Sequence, residues 1–440
     1  MSEVVIQCKY IISGEECNKI IKNGSIIIED NKIINVGKID EMKKYVTGHD
    51  KIERMNHVAI PSFINAHTHL PETLLRGICD SSKLIEWLYD YVWPFESHMT
   101  AEDAYYGASL GALELIESGV AGFIDQYFFV ESIEKVVKES KLRALLCPSL
   151  FDGTPETGSI EDTWNHIKKF LHSRNNIIKE KDSLLKYGIG PHAPYTVPKE
   201  YLLKVSEIAE KYNIPIHIHI SETEKEVSDF RKQHQLTPLE YLENLSLLKN
   251  KILAAHCVYP SGRDYEIMKK YKVTVLHNPQ SNLKLSSGIA PVFKYIEKNI
   301  DVVVGTDGNA SNNNLDVLEE VRTAALLQKF LAKDPTVLQN YTALKIGTTA
   351  GSKIFGLEKA GIMENAIADI TLFSLSGAHS WPQNDIISNV LYSASSGDVN
   401  DLIVNGKFLY LNREHQTLNK ERIIEKSTKI AERILCEIRK

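Results

Sequence analysis

The sequence has no CxxC pair, no long basic run, no low-complexity tract, no internal repeat and no apolar stretch long enough to cross a bilayer. Its six cysteines, Cys8, Cys17, Cys79, Cys147, Cys257 and Cys436, lie far apart. That spacing excludes a zinc-thiolate site and a disulfide framework, and points to a reducing compartment. Without a basic run, and with a formal net charge of -6, there is no electrostatic footprint for nucleic acid or an anionic membrane. The partners expected are small molecules, with no nucleic acid and no membrane. The opening Met1-Ser2-Glu3-Val4-Val5-Ile6 lacks a basic segment followed by an apolar one, so a cytoplasmic protein is expected.

What is present suits a globular chain. Hydrophobic residues make up 43% and charged ones 25% of 440 residues, enough for a large core in one or two domains. Up to about residue 57 the sequence reads as short β runs broken by turn signals: 4–6, 25–28 and 32–37. From residue 58, short apolar runs alternate with helical patterns, the signature of a parallel sheet. Eight runs can be counted, at 58–65, 119–125, 143–148, 187–191, 214–220, 252–255, 273–276 and 301–305. Eight strands close a (β/α)₈ barrel. Between the first two runs Thr100 can cap a helix, with Asp103 three residues on and Gly119 after its end.

After about residue 361 the β pattern returns at 368–373 and 401–406. Strands at both chain ends predict a small β-sandwich domain beside the barrel. The organisation expected is residues 1–57 and 361–415 for that domain, 58–360 for the barrel, and an amphipathic helix within 416–440 carrying Ile423, Ile424, Ile430, Ile434 and Ile438.

The chemistry lies where histidines and acids follow a strand, at the C-terminal mouth of a barrel. Strand one ends in His67-Thr68-His69, and residues two apart on an extended chain share a face. Strand five carries His217-Ile218-His219, strand six ends at His256 and strand eight leads to Asp307. Of the strand-five pair, His219 is nearer the mouth and is the better ligand; His217, one layer deeper, reads as a buried, hydrogen-bonded core residue. Any one of these histidines alone is more often a satisfied polar side chain than a ligand. Together, imidazoles and a carboxylate at strand ends one, five, six and eight suit one divalent ion: zinc by preference, with iron, manganese or nickel also compatible. Hydrolysis at such an ion needs a carboxylate to move protons, and Glu222, just past strand five, is placed to supply it, although a helix-start Glu would look the same.

With these residues placed, the chain resembles the amidohydrolase superfamily, and within it the methylthioadenosine/S-adenosylhomocysteine deaminases and their chlorohydrolase-like neighbours. The segments that carry the resemblance are residues 61–69 with 73–77, 190–195, 217–223, 254–257, 277–285 and 305–313. The resemblance implies that His67, His69, His219 and Asp307 hold the metal, that His256 orients the water, that Asp307 takes its proton, and that Glu222 protonates the ring nitrogen beside the attacked carbon. It also implies that Glu96 holds ribose hydroxyls and that His192 contacts substrate. The reaction implied is hydrolytic deamination.

In one respect the sequence departs from the pattern. Members that accept S-adenosylhomocysteine carry an Arg just after strand three, where this chain reads Cys147-Pro148-Ser149, and a second in the next loop, where 152–160 has none. Without a guanidinium an anionic tail loses its bidentate partner. The substrate expected is therefore adenosine, 5′-deoxyadenosine or methylthioadenosine, with S-adenosylhomocysteine disfavoured. Two alternatives stay open. One is action on another N-heterocycle such as guanine, a pterin or a triazine; the other is an inactive assembly module. A two-metal site would need a lysine at the mouth of strand four, but Lys186 precedes that strand. Homo-oligomerisation is left open.

Overall fold

A computed structural model of the protein describes residues 3–14, 20–45, 50–78, 80–82, 84–180 and 183–438. Cys17 and Cys79 lie outside these residues; Cys8, Cys147 and Cys257 are buried free thiols and Cys436 is an exposed one.

The chain opens with β1 (Glu3–Ile12), β2 (Ile20–Glu29), β3 (Lys32–Lys38) and β4 (Asp50–Pro61). The barrel follows: β5 (Phe63–Thr68), β6 (Val120–Tyr127), β7 (Arg143–Leu150), β8 (Leu185–Tyr187) with the short β9 (Gly190–Pro191), β10 (Ile216–Ile220), β11 (Ile252–His256), β12 (Thr274–His277) and β13 (Val302–Val304). The last strands are β14 (Ile370–Ser374), β15 (Val399–Val404), β16 (Lys407–Leu411) and β17 (Glu414–His415).

The barrel strands form two parallel arcs, β5 to β8 and β10 to β13. Backbone bonds join the arcs on both sides. His217 N–H donates to the Ile189 carbonyl at 2.9 Å and His219 N–H to the His192 carbonyl at 3.0 Å; across the other seam Asp307 N–H donates to the His67 carbonyl at 2.9 Å. Gly305 allows that second seam to close, because a Cβ there would stand 2.5 Å from the His67 amide nitrogen. Ile64, Ala66, Ile124, Leu145, Leu253, Leu276 and Val303, one to two from each of six strands, pack the interior beneath the mouth.

Both chain ends join in one eight-stranded sheet, ordered β17-β16-β15-β14-β4-β1-β2-β3. Ile6, Ile26 and Ile33 from the first half meet Ile370, Leu372 and Ile403 from the second in a separate apolar core. This is the expected β-sandwich domain.

The first run of the barrel is corrected by the structure. Residues 58–61 belong to the terminal sheet, with Val58 opposite Phe373 and Pro61 opposite Ile370, and the barrel strand starts only at Phe63. The boundary expected after residue 57 thus falls inside β4. Two apolar runs separated by Ser62 read as one strand in sequence, since nothing local marks the change of partner.

The helix Ala101–Glu117 begins with the expected cap. Asp103 N–H donates to Thr100 Oγ1 at 3.3 Å, and Thr100 N–H donates back to Asp103 Oδ2 at 2.8 Å. The terminal helix Lys420–Ile438 lies against it: Ile423 and Ile434 are buried, Ser427 Oγ donates to the Tyr106 carbonyl and Arg433 pairs with Asp103 at 2.6 Å. Ile424 and Ile438 are exposed, because only one narrow face of that helix has a neighbour. Among the described residues no helix is long and apolar enough to cross a membrane.

Candidate metal centre and catalytic cavity

The side chains at the strand ends converge. Ligand atoms of His67, His69 and His219 lie within 4.8 Å of one another, and so do those of His67, His256 and Asp307. Nε2 of His67 and Nε2 of His69 are each 3.3 Å from Asp307 Oδ1. Two of these histidines have their tautomer set by backbone: His69 Nδ1 donates to the Gln126 carbonyl at 2.6 Å and His219 Nδ1 to the His192 carbonyl at 2.7 Å. A carbonyl only accepts, so the proton sits on Nδ1 and the Nε2 lone pair faces the centre. His67 Nε2 is buried without a well-formed hydrogen bond. An orphaned buried nitrogen beside a carboxylate is costly in a folded chain, and a cation at the point of convergence removes that cost. The residues fit one divalent ion with nitrogen and oxygen ligands.

The chain bends sharply to aim these groups. His256, at the end of β11, and Asp307, just past β13, adopt left-handed backbone with φ of 69° and 67°, which turns the chain at the mouth. Asp307 Oδ2 accepts from Ser281 Oγ at 2.6 Å and Oδ1 from Gly308 N–H at 2.8 Å. Burial alone would raise the Asp307 pKa, but the His67 and His69 imidazoles hold it well below the usual carboxylate range.

Glu222 and His256 complete the cluster. His256 Nδ1 is 2.9 Å from Asn282 Oδ1, while its Nε2 faces Glu222 Oε2 at 3.8 Å and Asp307 Oδ2 at 3.9 Å. Glu222 is not part of the following helix, Glu224–His234, whose capping residue is Thr223. Instead its amide is held by the Glu226 carboxylate at 2.7 Å, which leaves the Glu222 side chain turned to the cavity. Burial raises the Glu222 pKa, with His256 opposing the rise.

The centre forms the floor of a cavity that opens to solvent. Trp87, Leu88, Val92, Trp93, Phe128 and Phe151 give it an apolar wall. Glu96 and His192 both line it together with His69, His219, Glu222, His256 and Asp307, while His67 lies buried beside them, its Nε2 3.3 Å from Asp307 Oδ1. Glu96 is buried and accepts from Tyr127 OH at 2.6 Å; burial pushes its carboxyl up to about 7. His192 Nδ1 lies 3.1 Å from Thr196 Oγ1, and burial pushes its pKa down to about 3, so the ring is neutral at physiological pH. Among the described lining residues there is no Lys or Arg; Ser149, near the end of β7, and Phe151, just past it, stand on the wall. Lys186 lies within β8 and not before it as expected from sequence, but its Nζ is turned away to the Glu180 carbonyl, 2.7 Å distant, and is not on the cavity wall.

Comparison with known proteins decides the family: residues 58–409 match the amidohydrolase family. The chain is an amidohydrolase. It is 40% identical over 99% of its length to all of the 5-methylthioadenosine/S-adenosylhomocysteine deaminase of Halothermothrix orenii. It is 41% identical over 93% of its length to 94% of the 5′-deoxyadenosine deaminase of Methanobrevibacter smithii. An adenosine deaminase from Xanthomonas campestris, solved with bound zinc, superposes with a TM-score of 0.94 at 28% identity, covering 99% of each chain.

This amidohydrolase also has cavity residues that sequence reading missed. Glu72 lies on the wall with its Oε2 buried and unpartnered, and burial pushes its carboxyl up to about 8. Its carboxylate occupies the place where a Cβ on Gly308 would stand. Position three after an HxH pair was the signal that could have found it. The carbonyls of Gln126 and His192, the Ser281 hydroxyl and the Glu226 clasp gave no such signal.

Proposed function

We propose that the protein is a hydrolytic deaminase of an adenosine-type nucleoside with a neutral 5′ group: adenosine, 5′-deoxyadenosine or methylthioadenosine. One observation carries the reading: a buried Glu222 whose pKa is raised faces His256 and Asp307 at the edge of a three-imidazole, one-carboxylate cluster. The names of the two relatives above, and of the Xanthomonas protein, support deamination of an adenosine-type nucleoside, although the Halothermothrix name also includes S-adenosylhomocysteine.

His67, His69 and His219, each through Nε2, and Asp307 would hold one divalent ion. Zinc is preferred on the donor set, and it is the ion bound in the Xanthomonas protein. Such an ion supplies Lewis acidity, bringing the pKa of water towards neutrality. Asp307 accepts the water's proton, its Oδ2 being steadied by Ser281. His256, oriented by Asn282, directs the water and supports the charge that develops on the attacked carbon's substituent. Glu222, whose pKa burial raises, gives its proton to the neighbouring ring nitrogen, and a second transfer from the acids lets ammonia leave. Glu96 accepts from the ribose hydroxyls, and the neutral His192 contacts the nucleoside. The absence of Lys or Arg among the described wall residues disfavours the charged tail of S-adenosylhomocysteine, because none of them replaces its hydration.

An ammonia-release assay tests this. Adenosine, 5′-deoxyadenosine and methylthioadenosine should each exceed S-adenosylhomocysteine in kcat/KM, and Glu222→Gln should lower kcat about 10²- to 10⁴-fold. Faster turnover of S-adenosylhomocysteine, guanine, a pterin or a triazine would overturn the substrate assignment. Full activity of Glu222→Gln would overturn the acid's role.

A further inference from the structure

Three imidazoles must offer Nε2 lone pairs to the centre, but the structure secures them by two different means. His69 and His219 are locked by backbone carbonyls, which only accept. His67 is not. Its Nδ1 meets another imidazole nitrogen, His217 Nε2, at 2.9 Å, and both rings are fully buried. The rings stand nearly perpendicular, 79° apart with centroids separated by 4.8 Å, so this is an in-plane nitrogen contact and not a stack.

One proton lies between those nitrogens, and its position decides what His67 offers. On His67 Nδ1 it leaves the Nε2 lone pair aimed at the centre. On His217 Nε2 it forces the His67 proton to Nε2, where it points at Asp307 Oδ1, 3.3 Å away, and blocks ligation.

We infer that His217 is a positioning residue for the metal: its Nε2 accepts from His67 Nδ1–H and so holds His67 in the ligating tautomer. The neutral His217 then carries its own proton on Nδ1. That nitrogen is buried and has no partner among the described residues, so none of them draws the proton elsewhere. Ligand-orienting partners of this kind are ordinarily carbonyls or carboxylates; here the role falls to a side chain that can be exchanged without touching the backbone. The inference rests on His67 being a ligand.

The test is zinc affinity, measured by competition with a chromophoric chelator. His217→Gln retains an oxygen acceptor within reach of His67, whereas His217→Leu retains none. His217→Leu should bind zinc about 10- to 100-fold more weakly than the parent, and His217→Gln should recover most of that loss. The melting temperatures of the two metal-free variants should agree, which separates a tautomer effect from loss of packing. Equal zinc affinity in His217→Leu and the parent, or equal weakening in both variants, would overturn the inference. His67→Ala and His69→Ala run alongside as controls: zinc binding unchanged in these would instead sink the metal site itself.

Discussion

Tyr127 OH donates to Glu96 Oε1 at 2.6 Å inside the cavity, and this bond tempers the effect of burial on the pH range over which Glu96 can work. Burial raises the Glu96 pKa to about 7, and the tyrosine bond opposes that rise by favouring the charged form. If the ionised carboxylate accepts from the ribose, KM for the nucleoside should fall as pH rises through about 7. In Tyr127→Phe the opposing bond is gone, so the same fall should move to higher pH. KM measured from pH 6 to 9 on both proteins checks the direction; a shift to lower pH would contradict it.

Metal removal should cost both activity and stability. Dialysis against a chelator should abolish ammonia release, and added zinc should restore it. The ion also stabilises the folded chain by mass action, about 2.7 kcal/mol when free metal is a hundred times Kd. A higher melting temperature with zinc than without is therefore expected in the parent and not in His67→Ala. Metal analysis of both gives the stoichiometry, with one ion per chain in the parent.

The wall at the end of β7, which has no cation among the described residues, invites a gain-of-function test. Ser149 lines the cavity where a guanidinium is absent, and Ser149→Arg would supply one. A charge-assisted hydrogen bond of roughly 1.5–3 kcal/mol should raise the ratio of kcat/KM for S-adenosylhomocysteine over methylthioadenosine by about 10- to 100-fold. An unchanged ratio would place the tail elsewhere.

Gly305→Ala should weaken the seam between β13 and β5, because its Cβ would press on the His67 amide and on Asn278 Oδ1, 2.8 Å away. Overpacking of this kind costs roughly 1–3 kcal/mol. Urea unfolding should show the loss, and zinc affinity should fall with it, since the seam carries both His67 and Asp307. A stable variant with weakened zinc binding alone would mean that the seam gives way without unfolding.

The site was largely legible because its residues follow strands: His67, His69, His219, His256 and Asp307 each stand at a strand end that apolar patterning marks. What supports them was not legible. The bond from His67 to His217 spans 150 residues, and the acceptors for His69 and His219 are backbone carbonyls, which look alike at every position. Ser62 shows the same limit in the fold, since a strand that changes partners looks like one long strand until the partners are known. Gly308 and Glu72 fit each other across the cavity wall, and neither means much in sequence without the other.

The double pairing of β4 bears on the order in which a growing chain can finish. One edge of β4 is covered early, by β1, but the other waits for β14, more than three hundred residues later in synthesis. Until the ribosome has delivered that strand, the segment leading directly into His67 keeps an open hydrogen-bonding edge of the kind that recruits wrong partners. A chain stopped short of residue 370 would hold the whole candidate metal cluster and still leave that edge bare, so the far end of the gene guards the solubility of the near one.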